Sequence, residues 1–196
     1  SGICTADDGT ASKLDTPRSR EYREILRLQD NGMHSRSRLM SERLAEKTLK
    51  SDPEGYAVLS DIIMKVPAYE YRMEHFMASN PYSVLVPQMR YRHAINLFDA
   101  QEYAKAFVLF DIVTPSQIER SQIDEYLFKK AYCELENGDV DRALLRFIEL
   151  ERRPISDYSA PAKYTIAYIN YEKKNFYDAL GWFEKAALDS RFTQVA

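Results

Sequence analysis

The sequence is poor in the residues on which most site chemistry depends. Its 196 residues include only two cysteines, Cys4 and Cys133, and three histidines, His34, His75 and His93. Two cysteines make no disulfide framework, and the scattered histidines never take the H-E-x-x-H spacing of a metal site, so no metal is expected. Six glycines leave no Gly-rich phosphate loop, and there is no G-x-S-x-G elbow. Catalytic residues and cofactors are therefore not expected. Charge is nearly balanced, with 27 basic and 30 acidic residues and a formal net charge of −3, which gives no bulk electrostatic reason to bind nucleic acid. Arg18, Arg20, Arg23 and Arg27 recur along one segment, but Glu21 and Glu24 intersperse them, as on a solvated, salt-bridged helix face. Apolar positions are interrupted every few residues, so no run of about 18 could enter a membrane directly.

What the sequence does have is aromatic and periodic. At 45% hydrophobic and 12% aromatic it can bury a continuous core. A motif recurs as RYRHAINLFDAQEYAKAFVLF from Arg90, LFKKAYCELENGDVDRALLRF from Leu127 and KYTIAYINYEKKNFYDALGWF from Lys163. Its small residues Ala106, Ala143 and Ala179 lie 37 and 36 residues apart, and Ser37 and Arg72 continue the frame N-terminally at steps of 35 and 34. This period marks an array of helix pairs. Pro17, Pro53, Pro87 and Pro161 fall where first helices should begin, a position at which proline's missing N–H costs nothing.

These motifs resemble the tetratricopeptide repeat family. On that resemblance Ala94, Ala131 and Ala167 hold the small site of the first helix, and Ala106, Ala143 and Ala179 that of the second. Tyr103, Val140 and Phe176 follow each turn, and Gly32 and Gly138 supply turns. Ile25 and Arg72 stand where a small residue is usual, and His93 and Lys130 where leucine is. The resemblance implies an all-α, right-handed α-solenoid of about five helix-turn-helix repeats, near 18–52, 53–86, 87–123, 124–159 and 160–196, after a flexible leader over 1–17. Second helices are predicted near 34–49, 67–79, 102–113, 139–152 and 175–188. Repeats three to five are also similar in texture to long Bacteroidetes-type repeat proteins. That likeness implies further repeats beyond residue 196 and a periplasmic or periplasm-facing location, with the cytoplasm as the alternative.

In the family the first helices line a concave surface, exposed at the fifth, ninth and twelfth positions of each repeat. Here these are Tyr91, Ile95 and Phe98, then Phe128, Tyr132 and Leu135, then Tyr164, Tyr168 and Tyr171. The spacing puts each trio on one helical face. Asp99, Glu136 and Glu172 follow as an acidic border. An aromatic-lined groove of this kind suits a protein or peptide partner, since tyrosine contributes large contact area at little conformational cost. Family members that clamp a C-terminal carboxylate use Lys, Asn and Arg, whereas Tyr22, Leu26, Ala57 and Asp61 stand here. Two alternatives stay open. The aromatics could seal repeat against repeat, and the chain could be a structural spacer, self-associating weakly through an apolar C-terminal edge of Phe176, Leu180, Phe183, Ala187 and Leu188.

Overall fold

A computed structural model describes residues 17–48 and 51–193, with side chains over 20–44 and 53–190. The expected leader lies outside the described residues, apart from Pro17, which opens the first helix. Among the described residues all regular structure is helical, with ten α-helices and two short 3-10 turns. The helices are α1 (Pro17–Asp30), α2 (His34–Thr48), α3 (Ser51–Ile63), α4 (Tyr69–Ser79), α5 (Leu85–Asp99), α6 (Tyr103–Ile112), α7 (Ile123–Glu136), α8 (Val140–Glu151), α9 (Ser159–Glu172) and α10 (Phe176–Thr193). They form five consecutive pairs. The predicted second helices match α2, α4, α6, α8 and α10 within two residues at each end, except that α10 runs on to Thr193.

One backbone device recurs in every pair. Gly32, Lys65, Gln101, Gly138 and Lys174 are all left-handed, with φ of 71°, 54°, 61°, 88° and 62°. At each, the N–H of the left-handed residue reaches back to a carbonyl three residues earlier, and the next N–H reaches back five. Gly138 N donates to Leu135 O at 3.0 Å and Asp139 N to Glu134 O at 2.9 Å, and Lys174 and Asn175 repeat the pattern on Tyr171 and Asn170. This double bond satisfies the orphan carbonyls at the end of a first helix and reverses the chain. Only two of the five positions are glycine, so three turns carry a Cβ in a conformation that disfavours one.

The chain divides into two compact units at Met89 and Arg90, within α5. In the first, Val58, Ile62, Met73, Phe76, Leu85 and Met89 form the buried apolar cluster. Gly55 lies so close to the Leu85 and Phe76 side chains that an added Cβ would clash with both. Ile25 is fully buried and fills its slot as core. Arg72 has a different reason for replacing a small residue. Its guanidinium hydrogen-bonds the fully buried carboxylate of Asp61 on α3 and lies 3.4 Å from Glu42 on α2. Arg38 Nε closes on the other Asp61 oxygen at 2.6 Å, so three helices share one charge cluster.

In the second unit the small residues Ala94, Ala106, Ala131, Ala143, Ala167 and Ala179 are all buried. A side chain without extension lets the paired helix backbones approach, which is why the motif carries alanine there. Lys130, the cation in a leucine slot, is buried with its Nζ 3.0 Å from Asp111 on α6 and 3.4 Å from the Tyr126 hydroxyl. Arg146 on α8 donates two hydrogen bonds, of 2.8 and 2.7 Å, to buried Glu134 on α7. That bidentate geometry satisfies both carboxylate oxygens.

Candidate functional site

The motif positions in the second unit build a ladder across each helix pair. Antiparallel helices bring the first-helix aromatics level with apolar residues of the second. Tyr91 meets Phe110 at 6.4 Å between ring centroids, Phe128 meets Phe147 at 5.6 Å and Tyr164 meets Phe183 at 5.3 Å. At the other end Phe98 meets Tyr103 and Tyr171 meets Phe176, both at 5.4 Å. Between these rungs Tyr168 stands level with Leu180, as Tyr132 does with Leu144. The sequence reading placed only the first-helix rail at the site. The second rail, Phe110, Phe147 and Phe183 with their neighbours, recurs at 37 and 36 residues and was visible in the same motif, but those positions were read as core alone.

The ladders differ in what covers them. Tyr91 is fully buried and donates a hydrogen bond to Glu125 on α7 at 3.1 Å. It is thus a packing residue, and its expected place in an open groove is corrected: α7 lies over it. Phe98 is half-buried against Tyr132 at 5.6 Å and under the Lys129 ammonium at 5.1 Å. Phe128 and Tyr132 are half-buried too, Phe128 lying 5.5 Å from Tyr158. In the last pair Tyr164, Tyr168 and Tyr171 are 58%, 49% and 53% exposed, beside exposed Phe176, Tyr177 and Leu180. A cleft of about 510 Å³ opens at one end of this ladder, between Pro161 and Tyr164 on α9 and Phe183, Ala186 and Ala187 on α10.

Asp99, Glu136 and Glu172 are all exposed at the ladder ends. Lys129 Nζ approaches Asp99 at 3.5 Å and Glu125 at 2.9 Å. Glu136 borders a shallow cleft of about 310 Å³ with Tyr103. Burial, with Glu136 and Tyr103 close by, pushes the Tyr132 hydroxyl above its ordinary value, and burial with Glu125 pushes that of Tyr158 up to about 12. These phenols stay neutral and act as hydrogen-bond donors. Cys133 is buried, as expected of a core thiol. Among the described residues no group of three or more His, Cys, Asp or Glu could hold a metal ion, and no helix is long and apolar enough to cross a membrane.

Five helix pairs joined by the same left-handed turn, with alanine at each close approach in the second unit, define a tetratricopeptide-repeat-like fold. Solved structures share it. A MamA structure designated MSR-1 aligns with a TM-score of 0.64 at 17% identity, covering 91% of this chain and 99% of that one. MamA from Desulfovibrio magneticus RS-1 aligns at 0.65 with 10% identity, over 91% and 97% of the two chains. PilF from Pseudomonas aeruginosa aligns at 0.60 with 11% identity, over 88% of this chain and 76% of that one. At such identities the likeness is one of fold. No protein-family model and no curated protein matches the sequence.

Proposed function

We propose that this chain is a non-enzymatic protein-interaction scaffold whose partner docks on the exposed aromatic ladder of α9 and α10. The observation that carries the reading is the exposure of Tyr164, Tyr168 and Tyr171 on one face. Held by a rigid helix pair and backed by the rings of Phe183 and Phe176, they offer preorganised area with polar tips. Contiguous exposed aromatics of this kind mark interaction surfaces in soluble domains.

A second reading has its own support. The corresponding ladder of α5 and α6 is covered by the following first helix, α7, so the face also suits stacking, as in a spacer or self-assembly element. Photo-crosslinking separates the two. With p-benzoylphenylalanine at position 168 in the source cell, a scaffold gives a discrete adduct with a different protein, and the same probe at exposed Leu145 on α8 does not. An adduct of twice the chain mass supports the spacer instead. Absence of any adduct at 168 defeats both.

A further inference from the structure

From the way this chain covers its own ladder we infer that the occupant of the α9–α10 face is an amphipathic α-helix from a partner protein. Its recognition sequence is an apolar anchor followed three and four residues later by two basic residues. The inference rests on the interaction surface proposed above and names what that surface selects.

The template is α7 lying on the ladder of α5 and α6. Its anchor, Tyr126, packs edge-on against Phe110 with ring centroids 6.0 Å apart. Three and four residues on, Lys129 sits over Phe98 and near Asp99, and Lys130 pairs with Asp111 at 3.0 Å. Each recipient has a counterpart two repeats later, at shifts of 37 and then 36: Phe110 becomes Phe183, Asp99 becomes Glu172 and Asp111 becomes Glu184. Both glutamates are exposed. The cleft beside Phe183 and Ala186 falls at the counterparts of Phe110 and Val113, where the Tyr126 ring and hydroxyl are received.

The middle repeat shows that the basic position is specified by the acid facing it. There the counterpart of Asp111 is Ile148 and that of Lys130 is Ile166, and both belong to one apolar cluster. Acid faces lysine in one repeat and isoleucine faces isoleucine in the next. Repeat five returns to the acid, Glu184, and so calls for a basic residue. The anchor differs from Tyr126 in one respect. Tyr126 donates to the carbonyls of Phe110 and Val113, at 3.2 and 2.9 Å, because α6 ends at Ile112. Helix α10 continues to Thr193, so its equivalent carbonyls are taken within the helix, and Ser190 Oγ also donates to Ala186 O. The anchor is therefore phenylalanine or leucine in preference to tyrosine.

The probe is a fluorescent peptide of residues 122–136 with Tyr126→Phe and Cys133→Ala, held helical by a staple between positions 127 and 131 and titrated onto the full chain. Saturable binding is expected, weakened about tenfold by Glu172→Lys with Glu184→Lys. A peptide carrying Lys129→Glu and Lys130→Glu should regain affinity for that charge-reversed chain. The two glutamates are exposed, and unchanged circular dichroism of the double variant confirms its fold. No saturable binding, or binding indifferent to both reversals, overturns the inference. So does equal binding of an extended, proline-substituted peptide. A heterologous crosslink at position 168 that persists in those cases leaves the surface standing and only its helical, basic occupant refuted. Peptide binding lost when the chain itself dimerises at higher concentration assigns the face to a second copy and likewise overturns it.

Discussion

Replacing both Arg38 and Arg72 with methionine should destabilise the chain far more than replacing Asp61 with leucine, although each change dissolves the same ion pairs. Asp61 is fully buried, while the two arginine side chains are about one-third exposed. Removing the arginines strands a buried carboxylate, which costs about 3 to 5 kcal/mol. Removing the carboxylate leaves two guanidiniums that can turn to water and to Glu42, 3.6 and 3.4 Å away, and leucine fills the space. That change should cost within about 1 kcal/mol. With an m-value of about 2 kcal/mol/M, urea unfolding followed by far-UV circular dichroism would show midpoint losses of about 1.5 to 2.5 M against less than about 0.5 M. The triple variant should recover most of the loss. Burial holds the Asp61 carboxyl above its ordinary value despite both arginines. The folded state then keeps a proton that the unfolded state has released, so this group's contribution falls as pH rises from the unfolded value through the folded one. Acidification through that window should accordingly favour the parent over Asp61→Leu. If Asp61→Leu costs as much as the double arginine variant, attraction outweighs desolvation and the reasoning fails.

Ala143 is fully buried where α7 and α8 approach, so Ala143→Phe should cost about 1 to 3 kcal/mol by overpacking; a urea midpoint equal to the parent's would misplace the helix contact. Burial pushes the Cys133 thiol up to about 12, leaving roughly one thiolate in ten thousand at pH 8. In a Cys4→Ser chain Ellman's reagent should therefore label it only at the rate of unfolding, and labelling at the rate of a free thiol would refute its burial. Gln101→Gly and Lys174→Gly should each stabilise by about 0.5 to 1 kcal/mol, since relief of the left-handed strain exceeds glycine's entropy cost; a loss in thermal midpoint would count against the turn. Ser37 Oγ is buried without a hydrogen-bond partner, so Ser37→Ala should hold or raise stability by up to about 1 kcal/mol, and a clear loss would mean that the hydroxyl is satisfied.

The helix pairs were legible because three signals agreed on one register: the alanine sites, the prolines in first turns and the recurring aromatic after each turn. Each reports a local constraint that survives without knowledge of the rest of the chain. The turns at Lys65, Gln101 and Lys174 were not legible from glycine. Their left-handed geometry is imposed by the double hydrogen bond and by the packing of the helices they join, which override local preference. Arg72 looked like a mismatch because its partner, Asp61, lies in another helix, and a buried ion pair leaves no periodic trace. The site was legible in part. Spacing put Tyr91, Ile95 and Phe98 on one face, but spacing cannot say what lies over that face. Exposure of Tyr164, Tyr168 and Tyr171 and burial of Tyr91 are tertiary facts.

Composition nevertheless tracks coverage along the three ladders. The first-helix rail reads Tyr, Ile and Phe under α7, then Phe, Tyr and Leu where burial is partial, then Tyr, Tyr and Tyr where the rail is exposed. The other rail stays apolar, with Phe176, Leu180 and Phe183 in the last pair. A face that was always covered would gain nothing from replacing isoleucine and leucine with tyrosine, because each new hydroxyl would need a buried partner. A face that was always open would be better served by charge, since exposed apolar surface promotes non-specific association. One rail of hydroxyl-tipped rings beside one apolar rail satisfies both states. The tips hydrogen-bond to water when the face is free, and the rings bury area when it is occupied. The residue choice is thus that of a surface covered reversibly, which favours a docking partner over permanent stacking.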